Sequence, residues 1–343
     1  MKHVCHKNNK GYTLVEMLIA VVISIMLIAA ASATYITQNR SYVAQESVSE
    51  VNTQSMIAHG IIADALRGAG FGIPDDLNEN PVNGYTTVIT PVDSAATTDA
   101  ITIVTGRLIG QIWPVGVGPG GMACASAPPL TRLPLSINQI DIVYSGTERP
   151  NNTDKRNLSM DGIEFATAVS VNSSTVTLSS NLSYQYPFLD TTGDTNCDTG
   201  RPVYLVEDVT FCVDANATLR RIRRNAVLPA CTGAVTSDNE AIAENIEDFQ
   251  LAYAVDANSD GQIDDLDGSS MLDDGDFVNG GAVADPATIK AVRINVLART
   301  DKADVNIQGL GNPPALIENH PLVQPNDSFK RRWWQKIVKI RNQ

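Results

Sequence analysis

The sequence predicts an α+β protein in which one long N-terminal helix precedes a large β-rich domain of antiparallel strands. Two observations support this prediction. No Gly or Pro occurs from residue 12 to residue 59, and the apolar positions after the first apolar run recur at spacings of three and four. After residue 75 the pattern changes to short, β-branched and often alternating runs separated by turn-forming residues, which is typical of strands.

Composition and charge restrict the class of protein. The 343 residues are 43% hydrophobic and 18% charged, as in a globular protein, and the formal net charge is −13. We do not expect so acidic a chain to bind nucleic acid in general. The sequence contains no GxSxG, Walker-type or HExxH motif, so we do not expect an enzyme.

The first element is an apolar helix that carries a single charge. Between Lys10 and Arg40 only Glu16 is charged, and the preceding residues 1–11 form a basic leader. The apolar run is long enough to cross a membrane, and the leader lysines favour the cytoplasmic side, which places the rest of the chain in the periplasm. A carboxylate at the mouth of a membrane-length helix indicates a functional site.

The run GYTLVE, from Gly11 to Glu16, resembles the processing site of type IV pilins and pseudopilins. The resemblance implies cleavage after Gly11 by a prepilin peptidase, N-methylation of Tyr12, and pairing of Glu16 with the Tyr12 amine of an adjacent subunit. Cleavage would remove three lysines and change the net charge from −13 to −16. The implied fold is pilin-like, with a leader at 1–11, a transmembrane and assembly helix at 12–70, and a β-rich domain at 71–343.

The spacing predicts one helix from about residue 13 to about residue 67. Its first half is apolar all round, whereas its second half is amphipathic and should lie on a sheet. Gly68, Gly70, Gly72 and Pro74 should end it.

The strands are expected in about nine runs after the helix. Between them we expect irregular structure at 75–97, 113–135 and 301–328, and the stretch from about 75 to about 200 indicates no function. The predicted runs are 96–107, 137–146, 163–171, 174–180, 201–213, 218–225, 246–256, 288–299 and 333–342.

The last third of the chain is similar to the PilW family of type IV pilus minor pilins. It contains ENIEDFQLAYAVDANSDGQIDD, then ATIKAVRINVLART, then a basic stretch ending in IRN. The resemblance implies a minor pilin that helps initiate the pilus and sits with other minor pilins, next to the major pilin, in a tip complex that can carry a PilY-type adhesin. It also implies an inner-membrane anchor and a place on the cell-surface pilus after assembly. Two alternatives remain: a J-type pseudopilin of type II secretion, and a membrane-anchored periplasmic binding or adhesive protein outside any filament.

A calcium-loop pattern lies inside this similar region. Ca²⁺ requires side-chain oxygens at positions 1, 3 and 5 of such a loop, a Gly at the sharp turn (Gly261), a backbone carbonyl at position 7 and a carboxylate at position 12, so the sequence predicts a structural calcium ion. Asp267 replaces the usual bidentate Glu, and no Lys or Arg occurs from 225 to 289 to neutralise the acids. A solvated acidic turn is the alternative, and the acidic run at 273–276 is a weaker candidate. The predicted ligands are Asp256, Asn258, Asp260, Gln262, Asp264 and Asp267.

Four cysteines remain after the leader, which itself contains Cys5. An even number suits disulfides in an oxidising compartment. The four candidates, Cys124, Cys197, Cys212 and Cys231, allow three pairings. Cys212–Cys231 is favoured because it would close a short hairpin-like unit, which would leave Cys124–Cys197.

The C-terminus is basic and contains Trp333 and Trp334. One interpretation is contact with an acidic neighbouring subunit or with DNA. The favoured interpretation is that the tryptophan pair packs against the long helix while the charges face solvent.

Overall fold

The computed structural model describes residues 12–74, 77–114, 131–132, 138–153, 155–184, 186–188, 197, 200–223, 231, 239–269, 272–303, 313–323 and 327–341. The predicted leader, including Gly11, and Cys124 lie outside these residues. Within them the chain has one long helix, α1 (Leu14–Arg67), followed by strands and three short 3-10 turns. The predicted α+β class is confirmed, as is the single helix.

Seventeen strands occur among the described residues. Several that the sequence did not predict are short and lie in stretches expected to be irregular. The strands are β1 Ile89–Val92, β2 Ala100–Pro114, β3 Thr131–Arg132, β4 Gln139–Tyr144, β5 Asn157–Met160, β6 Glu164–Asn172, β7 Thr175–Leu178, β8 Pro187–Phe188, β9 Arg201–Val213, β10 Leu219–Arg223, β11 Asn239–Ala243, β12 Ile246–Val255, β13 Val278–Asn279, β14 Ile289–Arg299, β15 Leu316–Ile317, β16 His320–Pro321 and β17 Arg331–Lys339.

The chain divides into two compact units, Met1–Glu50 and Val51–Gln343. In the first unit every large hydrophobic side chain from Leu14 to Ile28 is exposed. By length and composition α1 is apolar enough to cross a membrane. The boundaries 1–11, 12–70 and 71–343 stay predictions.

In the second unit, the end of α1 is amphipathic. Ala58, Ile62 and Leu66 are fully buried and lie one turn apart, so they form one apolar stripe. They share a core with side chains of both large sheets, including Phe211 and Phe249. The predicted packing of this half of the helix on β-structure is therefore observed.

The larger sheet has the order β1-β2-β4-β7-β6-β5-β9-β10-β11, with a further pairing between β2 and β9. This further pairing closes β2, β4, β7, β6, β5 and β9 into a six-stranded antiparallel barrel. The first half of β2 and the last half of β9 instead belong to the open part of the sheet, which contributes to the core around α1. Thus two long strands continue from one structure into the other.

The barrel interior is filled by apolar side chains. Trp113 and Phe188 stack there with ring centroids 5.5 Å apart, and both are fully buried. Gly110 lies at an irregularity in the β2–β9 register, where β4 joins β2. A Cβ atom at Gly110 would collide with the carbonyl oxygen of Val143, so a side chain is excluded there. Five of the six barrel strands, all but β9, lie in the stretch in which the sequence indicated no function.

The second sheet has the order β13-β12-β14-β17. One face contributes Phe249, Ile294 and Val338 to the core around α1. The opposite face is polar and includes the buried residues Asp248 and Arg293. The β15–β16 hairpin contacts this polar face, and His320 Nδ1 lies 3.1 Å from Asp248 Oδ1.

Candidate functional site

The apolar helix begins with a capping box between Thr13 and Glu16. The backbone N–H and the hydroxyl of Thr13 donate to Glu16 Oε2 at 2.9 and 3.1 Å, and the N–H of Glu16 donates to Thr13 Oγ1 at 3.3 Å. The box satisfies backbone donors at the start of the helix, where no preceding turn can accept from them. Thr13 was not predicted as a site residue, although its T-x-x-E spacing to Glu16 is the sequence signature of this motif.

The predicted calcium loop follows β12 and is ordered by its own side chains. Asp256 is buried, and its two carboxylate oxygens accept from the N–H groups of Asp260 at 3.1 Å and Gly261 at 3.0 Å. Asn258 Oδ1 also accepts from Asp260, and Asp264 Oδ2 accepts from the N–H of Ala257, both at 2.8 Å. Gly261 has a φ of +86°, so it makes the turn expected of it.

The carboxylates that lie closest to one another form a different set from the predicted ligands. In the described part of the chain, the acidic groups placed to share an ion are Asp265, Asp267 and Asp276, whose carboxylate oxygens lie within 4.8 Å of one another. Of these, only Asp267 belongs to the predicted ligand set. Asp276 comes from the acidic run that was the weaker candidate, and it is buried, accepting from the N–H groups of Leu266 and Asp273.

Cations lie closer to these acids than the sequence indicated. Lys290, the first residue after the stretch without Lys or Arg, places Nζ 3.9 Å from Asp256 Oδ2. Arg293 Nη1 donates to Asp274 Oδ1 at 2.7 Å. The expectation that no basic residue lies near the acids is wrong, because β14 runs beside β12 and brings Lys290 to the loop and Arg293 to the acidic run at 273–276.

Cys212 and Cys231 form a disulfide, with Cα atoms 6.0 Å apart. This pairing is the one favoured from sequence. Cys197 is buried and also disulfide-bonded, and its predicted partner, Cys124, lies outside the described residues.

The expectation for the C-terminal tryptophans is wrong for one of them. Trp333 and Trp334 are neighbours on β17, so their side chains lie on opposite faces of the sheet. Trp333 is 46% exposed and donates from Nε1 to Asn295 Oδ1 at 3.1 Å. Only Trp334 lies on the face that contains Val338 and α1.

Two family models match the chain. Residues 203–342 match the family described as Type IV Pilus-assembly protein W (PilW), and residues 6–32 match the Prokaryotic N-terminal methylation motif. Among solved structures, a type IV-like pilin from Thermus thermophilus is similar at 13% identity and a TM-score of 0.33, covering 85% of this chain and 95% of that chain. No curated protein matches the chain in sequence. The resemblances seen at the two ends of the sequence are confirmed by the two family models.

Proposed function

We propose, from the premise that this chain is a pilin-like protein of the PilW family, that it is a minor pilin which helps initiate assembly of a type IV pilus. One observation carries the proposal: a PilW region and an N-terminal methylation motif occur in one chain, and the apolar helix of that motif contains a single acid, Glu16. In this role the protein joins other minor pilins in a tip complex on the major pilin, and this complex presents a PilY-type adhesin.

Glu16 is the residue through which we expect subunits to be held in register. Cleavage behind Gly11 by prepilin peptidase would leave the ammonium of Tyr12 at the positive end of a helix dipole, which disfavours a cation. An adjacent subunit's Glu16 can neutralise this ammonium, whereas an unpaired charge in apolar surroundings costs several kcal/mol.

The capping box leaves Glu16 able to pair with the ammonium of an adjacent subunit. Thr13 donates to Oε2 of Glu16, and a carboxylate has about four lone-pair sites, so acceptor capacity remains for a neighbouring ammonium. Because Thr13 fixes the carboxylate at the start of the helix, it presents that carboxylate in one orientation. We therefore assign Thr13 the role of positioning Glu16.

The proposed location is the inner membrane, with the β-rich domain in the periplasm and later on the surface pilus. The apolar helix supports the anchor. The Cys212–Cys231 disulfide supports an oxidising compartment.

Assembly in cells tests the proposal. Surface filaments should be counted in cells with Glu16→Ala, in cells lacking the gene, and in cells with Glu46→Ala, which removes an exposed carboxylate from the same helix outside the apolar run. We expect the first two to lose pili while the Glu16→Ala protein still reaches the membrane, and Glu46→Ala to retain them. Normal piliation with Glu16→Ala would contradict the proposal and favour a membrane-anchored binding protein. Loss of type II secretion with normal pili in the deletion strain would favour the pseudopilin alternative.

We also propose that the acidic loops after β12 bind a structural calcium ion. The support is the pattern from Asp256 to Asp267, the burial of Asp256, and the approach of the carboxylates of Asp265, Asp267 and Asp276. Carboxylate and carbonyl oxygens are the ligands that Ca²⁺ prefers. Asp267 is common to the predicted ligand set and to the observed group.

Calcium titration of the full-length protein in detergent micelles tests this second proposal. Calcium should raise the melting temperature of the wild type, because an ion that binds only the folded state stabilises it. Asp265→Asn with Asp267→Asn should remove the rise if the observed group holds the ion, and Asp260→Asn with Asp264→Asn should do so if the predicted loop holds it. Asp301→Asn, an exposed acid elsewhere, is the matched control. No shift in the wild type would contradict calcium binding.

A further inference from the structure

Strand β17 forms an open edge of the four-stranded sheet. It pairs with β14 over nine residues, from Arg331 opposite Arg299 to Lys339 opposite Ala291. Among the described residues no strand pairs with its other edge, and it is the longest of the edge strands in the two large sheets. Edge strands present a row of backbone donors and acceptors to any chain that can pair with them.

The register shows which backbone groups point to the open edge. The N–H of Ile340 donates to the carbonyl of Lys290, and the N–H of Thr300 donates to the carbonyl of Lys330, each at 2.9 Å. Alternate residues of an antiparallel strand bond to the same neighbour, so the even-numbered residues of β17 bond to β14. The N–H and C=O groups of the odd-numbered residues Trp333, Gln335, Ile337 and Lys339 therefore point away from β14. Within the described chain they have no partner.

The side chains on this edge are accessible and amphipathic. Trp333 and Ile337 are 46% and 42% exposed. Both are odd-numbered residues of β17, so they lie on the same face of the strand. Arg332, on the other face, and Lys339 are also exposed. An incoming strand would thus meet apolar side chains on one face and positive charge along its length.

We propose that β17 accepts an extended acidic segment of a partner chain as an additional strand of the four-stranded sheet. Backbone hydrogen bonds to the odd-numbered residues would supply affinity, and alternating side chains would supply specificity. The preferred segment has apolar residues opposite Trp333 and Ile337 and carboxylates opposite Arg332 and Lys336. This surface belongs to the compact unit Val51–Gln343 and does not depend on assembly through the apolar helix.

The charge on β17 selects against one competing occupant. Two copies of β17 paired edge to edge would bring Arg332, Lys336 and Lys339 of both chains together, and like charges on adjacent strands destabilise pairing. Lysine on an edge strand also prevents indiscriminate pairing. The same positive side chains would attract an acidic strand. The basic residues of β17 therefore disfavour pairing with a second copy and favour a partner of opposite charge.

Peptide binding to the full-length protein in detergent micelles tests the proposal. The probe is a labelled ten-residue peptide of alternating Glu and Val with blocked ends. Its controls are the peptide with Lys in place of Glu and the peptide with a central Pro, which interrupts strand pairing. Binding is measured by fluorescence anisotropy, and residue-resolved amide hydrogen exchange locates the contact. We expect only the Glu peptide to bind, and we expect new protection at Trp333, Gln335, Ile337 and Lys339.

Two variants separate strand addition from charge attraction. Gln335→Pro removes an outward-pointing N–H but no hydrogen bond to β14, whereas Gln335→Ala keeps that N–H. We expect Gln335→Pro to weaken binding at least about tenfold and Gln335→Ala to stay within about twofold, where tenfold corresponds to 1.4 kcal/mol. Absence of saturable binding by the Glu peptide would overturn the proposal. Binding without the alternating protection in the wild type would also overturn it, because the edge would then be only a basic patch.

Discussion

Glu318 binds Arg293 through two parallel hydrogen bonds, Nε to Oε1 and Nη2 to Oε2, each 2.7 Å long. The two side chains are 9% and 7% exposed. Glu318 also accepts from Asn295 Nδ2 at 2.6 Å. Because Glu318 lies between β15 and β16, this pair holds the hairpin on the polar face of the four-stranded sheet.

Removing Glu318 should destabilise the domain. Glu318→Ala leaves Arg293 buried without its main partner, and breaking a buried ion pair in this way typically costs roughly 3–5 kcal/mol. Asp274→Ala is the matched control, since it removes an 89% exposed partner of the same arginine and should cost less than about 1 kcal/mol. Urea unfolding of both variants measures the difference. Equal losses would show that the hairpin pair contributes no more than a surface contact.

His59 should make stability depend on pH at the acidic end. Burial, followed by the nearby ammonium of Lys336, lowers the pKa of His59 from 6.5 to about 4. The unfolded chain takes up this proton first as pH falls, so the free energy of unfolding should decrease from pH 6.5 toward pH 4 and be fully retained above 6.5. His59→Leu should remove this dependence. An unchanged slope in the variant would show that the pKa of His59 is the same in the folded and the unfolded chain.

Asp99 should lower the free energy of unfolding as pH rises, whereas His59 lowers it as pH falls. Burial raises the pKa of Asp99 to about 7. Hydrogen bonds from the backbone N–H groups of Ser94 and Leu251 lower this pKa, whereas the nearby carboxylates of Asp93 and Asp248 raise it. A raised carboxyl pKa means that the folded state keeps a proton that the unfolded chain releases. The free energy of unfolding should therefore decrease as pH rises from about 4 to about 7. In Asp99→Asn this decrease should be absent, which unfolding curves at pH 5 and pH 8 can measure; an equal decrease in both proteins would contradict the assignment.

The Cys212–Cys231 disulfide should stabilise the fold through the loop that it closes. The cysteines are 19 residues apart, and a loop of this size contributes about 3 kcal/mol in the chain-entropy description. Replacing both residues with Val should lower the free energy of unfolding by about that amount. Thiol titration of the unreduced wild type provides an independent check, because free thiols at both positions would contradict the bond.

Residue patterns along short stretches of the sequence predicted the helix and the strands that depend on those stretches alone. The bounds of α1 follow from its spacing and from the glycines after it, and β9, β12, β14 and β17 follow from dense β-branched runs. The six-stranded barrel could not be predicted in this way, because it depends on β2 pairing with β9 about a hundred residues later. The approach of Asp276 to Asp265 and Asp267 likewise depends on a turn outside the calcium-loop pattern. The exposure of Trp333 was within reach, since adjacent residues of a strand cannot both face α1.

The pairing of β2 with β9 also governs how the domain can fold. Ala100 pairs with Cys212 and Ile112 with Arg201, and the strands that complete the barrel come from the chain between them. The barrel cannot close and the β2–β9 ladder cannot form until β9 has emerged, so the entropic cost of closing this long loop must be met before these non-local contacts form. During synthesis the edge of β2 that pairs with β9 therefore stays unpaired until β9 is made, which makes the interval between the two strands the step most exposed to aggregation.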